Sequence, residues 1–160
     1  MSKFTQLTLS DNGAQFIARN EGSVLHSYKD TGGVWTGGIG HTGKDVLPNM
    51  TISLAQEKAW FLSDSATVIA EVNNLQEQTQ RGFNQNQFDA LIDLIFNAGI
   101  GHFLNTYPAL WNFIKADTLD YNNISSAWLN FCVHDATGKV VPGLQTRRQK
   151  EVALYFLSND

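Results

Sequence analysis

The stretch Glu21–Thr42, EGSVLHSYKDTGGVWTGGIGHT, decides the fold. Upstream of it, Ser10 is a good N-cap residue, and Ala14, Ile17 and Ala18 recur at helical spacing up to Glu21. Gly22 then supplies a residue on which a helix can stop. From Leu25 to about Ile52 the signal changes to short apolar and aromatic pieces broken by Gly32, Gly33, Gly37, Gly38, Gly40 and Gly43. The spacing predicts a short helix ending on an acidic residue, followed by an antiparallel sheet of two or three strands.

Hairpin parity sharpens that expectation. A three-residue loop, Thr31 to Gly33, pairs Asp30 with Val34 and Tyr28 with Thr36. Asp30 and Thr36 then share one sheet face as diagonal neighbours about 7–8 Å apart at the backbone, within reach of a single shared water. A two-residue loop sends them to opposite faces. On a continuous helix Glu21 and Asp30 would sit about 13.5 Å apart along the axis and half a turn round from each other. The glycines after each carboxylate are what let both face one groove.

Two carboxyl groups held in that way suit glycosidic bond cleavage, in which one protonates the leaving oxygen and the other activates water or attacks the sugar. A carboxyl group at a helix C-terminus meets the negative end of the dipole, which favours the neutral acid and gives Glu21 the proton-donor role. Asp30, in a polar turn, is expected to stay ionised.

Downstream, Ser53 and Gln56 form a capping-box pattern, and Ala55, Ala59, Leu62, Ala66, Ile69 and Val72 follow at steps of three and four. They predict a long helix joining two lobes. Phe88, Leu91, Ile92, Ile95 and Phe96 fit the helical template completely, with Gly99 as the stop. Pro108 opens a helix carrying Leu110, Trp111 and Ile114, and Ile124, Ala127, Trp128 and Phe131 mark another. Asp135 to Lys139 reads as a turn. A last helix after Pro142 and Gly143 carries Leu144, Val152, Leu154 and Phe156, with Arg147, Arg148 and Lys150 assigned to its polar side and two of those three read as solvated. The fold class is α+β and mostly helical. Its expected division is 1–52, a linking helix over 53–78, and a helical lobe over 79–160.

The whole chain of 160 residues suits one domain with a substantial core. A net charge of -4 provides no basic field for nucleic acid. Cys132 is the sole cysteine, so no internal disulfide forms, and it reads as a core residue. Residues 1–20 lack a signal-peptide core, and no run approaches a membrane span, so folding in a cytoplasm is expected and action elsewhere requires separate release. His26, His41, His102 and His134 lack metal-ligand spacing, so no metal or cofactor is expected, and His41 reads as a structural hydrogen-bonding residue. The run GGVWTGGIG lacks the βαβ context of a dinucleotide loop. Trp35 reads equally as sugar platform or core plug.

The run Glu21–Thr42 resembles the catalytic region of the phage-type, T4-like lysozymes and endolysins of glycoside hydrolase family 24. Their E-x8-D-x5-T spacing falls here on Glu21, Asp30 and Thr36, followed by a GxGHT-like Gly38–Thr42. The likeness continues through NQFDALIDLIFNAGIGHF, Asn86 to Phe103, and VPGLQTRRQKE, Val141 to Glu151. Gly37 stands where the family carries a bulky aliphatic residue, and Ile39 where it often has tyrosine.

The resemblance implies a two-lobed lysozyme-like fold and an inverting muramidase that cuts peptidoglycan between N-acetylmuramic acid and N-acetylglucosamine. Glu21 would be the acid, Asp30 and Thr36 would hold the water, and Thr42, Phe96 and Thr106 would line the sugar groove. It further implies a monomer that needs no cofactor, stays in the host bacterial cytoplasm until a holin opens the membrane, and then lyses the cell at its wall. Phe96 also completes an apolar stripe, and residues in such stripes are core more often than ligand contacts. Two other readings stand beside hydrolysis: a lytic transglycosylase, which needs an acid and no held water, and a wall-binding module without turnover.

Overall fold

The computed structural model describes residues 1–30 and 32–158. Its elements are helix α1 (Asp11–Glu21), strands β1 (Val24–Lys29), β2 (Trp35–Gly38) and β3 (His41–Thr42), then helices α2 (Leu54–Gln76) and α3 (Gln85–Ala98). A π-helical turn (His102–Thr106) precedes α4 (Ala109–Ala116), α5 (Tyr121–Leu129) and α6 (Pro142–Tyr155). The chain is α+β and mostly helical, with one three-stranded antiparallel sheet in the order β1-β2-β3. It divides into two compact units, Ala14–Thr67 and Met1–Gly13 together with the chain from Val68 onward.

Helix α1 begins where the Ser10 hydroxyl accepts the Gly13 N–H at 2.9 Å, the N-cap bond its sequence predicts. It ends at Glu21 because Gly22 adopts φ +84° while donating to the Ala18 carbonyl at 2.9 Å, the left-handed stop that glycine makes without a Cβ penalty. The core beneath the sheet is Val46, Ile52 and Trp60, with Trp35 and Met50 packed half-buried against it. Residues Met50 to Ile52 line the outer edge of β1 through Ser27 N–H to Met50 O and Ile52 N–H to Leu25 O, both 2.9 Å. Gly37 is the close approach that this core demands. A Cβ there would overlap Ile52 Cδ1 and touch Trp60 at 3.6 Å. The bulky aliphatic residue that the resemblance leads one to expect is therefore replaced by glycine because Ile52 already fills the space.

Helix α2 forms where its spacing predicts, and Gln56 N–H reaches the Ser53 hydroxyl at 3.1 Å. Its buried face differs from the expected stripe. Ala55, Ala59, Leu62 and Ala66 are exposed, whereas Trp60, Phe61, Ser65, Val72 and Leu75 are buried. Three alanines and one leucine bury little area next to Trp60 and Phe61, and the larger side chains set the rotation of the helix.

In the helical unit α3 is the central element, buried at every position from Gln87 to Ile95. Asn84 and Gln87 close a reciprocal capping box, and Gly99 at φ +87° ends the helix. The burial includes two carboxyl groups. Asp89 accepts the Ser10 hydroxyl, the Ser10 N–H at 3.2 Å and the Gln85 amide at 2.8 Å, and burial raises its pKa against those bonds. Asp93 is held by Arg147 through Nε at 3.0 Å and Nη2 at 2.8 Å.

These contacts correct the reading of Arg147 and Arg148 as a solvated polar side. Arg148 is fully buried and donates to the Phe131 carbonyl at 2.9 Å, to Glu151 and to Asn97. Glu151 also accepts the Trp128 indole N–H at 2.7 Å. Burial first, then the neighbouring Asp93 carboxyl, push Glu151 up to about 8 against the pull of Arg148. Only Lys150 of the three cations is exposed. The turn at Asp135–Lys139 forms as predicted, with Asp135 Oδ1 accepting the N–H groups of Thr137 at 2.8 Å and Lys139 at 3.0 Å. Cys132 is half-buried at φ +50°, beyond the end of α5 instead of on its apolar face.

Candidate active site

The hairpin carries the geometry. Tyr28 pairs with Thr36 and Lys29 with Trp35, and the Asp30 N–H reaches the Val34 carbonyl at 2.9 Å. This is the register of the three-residue loop; Thr31 itself lies outside the described residues. In the next pair Thr36 faces Thr42 and Gly37 faces His41. Residues opposite each other share a face and alternate residues swap faces. Tyr28, Asp30, Thr36 and Thr42 therefore lie on one face of the sheet, and Lys29, Trp35, Gly37 and His41 on the other.

The second set identifies the core side. Trp35 packs against Val46, Ile52 and Trp60, Gly37 abuts Ile52, and His41 stacks on Trp60 with ring centroids 4.4 Å apart. This decides Trp35 as a core plug, with the Lys29 ammonium 5.5 Å above its ring. The face bearing Asp30, Thr36 and Thr42 is opposite that core; Thr42 is exposed and Asp30 half-buried, whereas Thr36 is only 4% exposed.

Asp30 and Thr36 are both oriented by local backbone. Asp30 Oδ1 accepts two N–H groups, from Gly32 at 2.8 Å and Val34 at 2.9 Å, an Asx-turn arrangement that fixes the carboxyl group on the hairpin tip. The Thr36 hydroxyl donates to the Val34 carbonyl at 3.1 Å. A carbonyl only accepts, so the single hydroxyl proton is committed and the Thr36 oxygen offers lone pairs to anything else. Glu21 occupies the exposed last position of α1, one residue before the left-handed Gly22.

His41 is built in from the core side. Its Nδ1 lies 2.8 Å from Asp64 and its Nε2 3.1 Å from Asp45. Burial lowers its pKa, but the hydrogen bonds and charges of Asp64 and Asp45 outweigh burial and the net shift is upward. Asp45 is lowered in turn, chiefly by its bond to His41. His41 is thus a clamp between the sheet and α2, as its structural reading expected.

Of the remaining residues assigned to the sugar groove, Thr42 is exposed on β3 beside Thr36. Phe96 and Thr106 belong to the helical unit, Phe96 half-buried near the end of α3 and Thr106 exposed in the π-helical turn. Sequence reasoning passed over Tyr28 as a site residue, although the same parity that placed Thr36 also placed Tyr28 opposite it. Among the described residues, no group of His, Cys, Asp and Glu forms a metal cluster, and no helix is long and apolar enough to cross a membrane.

The profile of the phage lysozyme family matches residues 18–151, which includes every residue of the hairpin face. The endolysin of Salmonella phage P22 is 32% identical over 154 residues, spanning 94% of this chain and 99% of the relative. The endolysin of Acyrthosiphon pisum secondary endosymbiont phage 1 is 34% identical over 149 residues, spanning 92% and 97%. A crystal structure of a P22 lysozyme variant superposes with a TM-score of 0.79 at 29% identity, covering 94% of this chain and 99% of its own. With near-complete coverage in both directions and the family profile spanning both compact units, the chain belongs to the phage lysozyme family.

Proposed function

We propose that the chain is an endolysin-type muramidase. It hydrolyses the β-1,4 bond between N-acetylmuramic acid and N-acetylglucosamine, with Glu21 as general acid and Asp30 and Thr36 holding the attacking water. Membership of the phage lysozyme family establishes a glycoside hydrolase; the division of labour among these three residues is our reading.

The observation that carries it is the directionality of the hairpin's hydrogen bonds. Asp30 Oδ1 is taken up by two backbone N–H groups, which leaves Oδ2 as an acceptor, and the Thr36 oxygen is an acceptor because its own proton goes to Val34. A water between two acceptors donates one O–H to each, and its lone pair then points away from both, toward an anomeric carbon. The Glu21 proton passes to the leaving oxygen as the glycosidic C–O bond breaks. The water oxygen bonds to the anomeric carbon, and the proton that it loses passes to Asp30. A carboxyl group working through water corresponds to inversion.

Thr42, directly opposite Thr36, extends the same face as a sugar contact, and the exposures of Phe96 and Thr106 suit the groove-lining role. The protein acts as a monomer on the bacterial wall, held in the host cytoplasm until a holin admits it. A transglycosylase has no use for two acceptors arranged around a water, and a binding module has none for an acid.

Digesting purified peptidoglycan and identifying the new sugar ends by mass spectrometry tests the function. Free reducing muramic ends are expected. Anhydro ends would replace hydrolysis by the transglycosylase reaction, and an uncut polymer would leave only a binding module.

A further inference from the structure

We propose that Tyr28 is a substrate-binding residue of the muramidase, its ring forming a platform for an N-acetylhexosamine unit next to the held water. The inference rests on the reading of Asp30 and Thr36 given above.

Four observations place it. Tyr28 is the direct cross-strand partner of Thr36, so its Cβ lies about 4.5–5.5 Å from that of the threonine. It is two residues before Asp30 on the same strand and therefore on the same face. That face is opposite the one packed on Val46, Ile52 and Trp60. Finally, Tyr28 is 37% exposed, and no ring contact or hydrogen bond engages its side chain among the described residues.

A large aromatic on a strand normally packs its ring, as Trp35 does half-buried on the opposite face of this same hairpin. Tyr28 is absent from the cluster formed by Val46, Ile52 and Trp60. Across the three strands the row reads Tyr28, Thr36, Thr42, an aromatic surface beside two hydroxyls. A pyranose ring presents an apolar C–H face and a rim of hydroxyls and an acetamido group. The C–H face matches the phenol ring and the rim the exposed Thr42 hydroxyl, with Thr36, 4% exposed, lying between them in the row. An aromatic contact of this size is worth about 0.5–1.5 kcal/mol, or roughly a two- to tenfold change in affinity.

The test compares wild type, Tyr28→Ala and Tyr28→Phe on solubilised peptidoglycan, reading kcat and KM separately. It is paired with sedimentation of Glu21→Gln proteins bound to insoluble peptidoglycan. The Ala variant is expected to raise KM about two- to tenfold with kcat within twofold, and to weaken sedimentation binding by the same factor. The Phe variant is expected to restore both, because the ring is retained. Melting curves check that both variants remain folded at the assay temperature. An unchanged KM and unchanged binding in Tyr28→Ala would overturn the proposal, as would Tyr28→Phe behaving like Tyr28→Ala. The binding arm needs no turnover. Failure of the acid and water assignments would show as cleavage surviving in Glu21→Gln, and failure of the platform as binding indifferent to Tyr28.

Discussion

Replacing Gly37 by alanine tests the packing that holds the sheet in place. The Ala Cβ falls within the van der Waals radius of Ile52 Cδ1, and Ile52 is 2% exposed, so its end methyl has nowhere to go without disturbing Val46 and Trp60. Overpacking of one methyl in such a core costs about 1–3 kcal/mol. At about 2.1 cal/mol/K of unfolding entropy per residue, 160 residues give about 0.34 kcal/mol/K, and the loss in Tm is about 3–9 °C. Ile52→Val alone deletes the offending Cδ1 and costs about 0.5–1.5 kcal/mol through the void it leaves. In the double variant the new methyl occupies that void. Its melting temperature, followed by circular dichroism, should lie above the value expected from summing the two single losses by about 3 °C or more. Two losses that add to within about 0.5 kcal/mol would refute the claim that these atoms compete for one space.

Other outcomes follow from the same geometry. His41 has a folded pKa above its unfolded 6.5, so its bonds to Asp64 and Asp45 add stability in full below pH 6.5 and lose it as pH rises through the folded value. The Tm difference between wild type and His41→Asn should therefore be larger at pH 5.5 than at pH 9; an equal or reversed difference counts against the clamp. Arg148→Met strands Glu151, Asn97 and the Phe131 carbonyl in the interior, and chemical denaturation should show a loss of about 3–5 kcal/mol, against under 1 if the network is idle. Thr36→Val keeps the shape of the side chain and removes the acceptor. The kcat should fall by at least about tenfold with KM little changed, and an unaltered kcat would remove Thr36 from the water site.

The parts of the fold that local chemistry dictates were legible in the sequence. Hairpin parity narrows the register to two alternatives, and the three-residue loop is the one that places Asp30 beside Thr36. Ser10, Gly22 and Gly99 mark helix ends because capping depends on the residue itself. What escaped depended on partners far along the chain. Arg147 and Arg148 look like a solvated helix face until Asp93, Asn97 and Glu151 are brought to them, since a charge carries no sign of burial in its own neighbourhood. The buried face of α2 is set by bulk and not by period, since Ala55, Ala59 and Ala66 share the helical spacing with the larger Trp60 and Phe61. The role of Trp35 depends on Val46 and Ile52 packing against it, and the exposure of Tyr28 is a property of the packed sheet with no counterpart in its local sequence.

The account turns on Glu21 supplying the proton that releases the leaving sugar. Its most direct test is the release of reducing ends from purified peptidoglycan by wild type and Glu21→Gln, with fold checked by thermal melting and binding by sedimentation. Loss of turnover by a factor of about a thousand or more, with melting and binding unchanged, is the predicted result, because the amide keeps the shape and has no proton to give. Turnover within tenfold of wild type in the Glu21→Gln protein would contradict it.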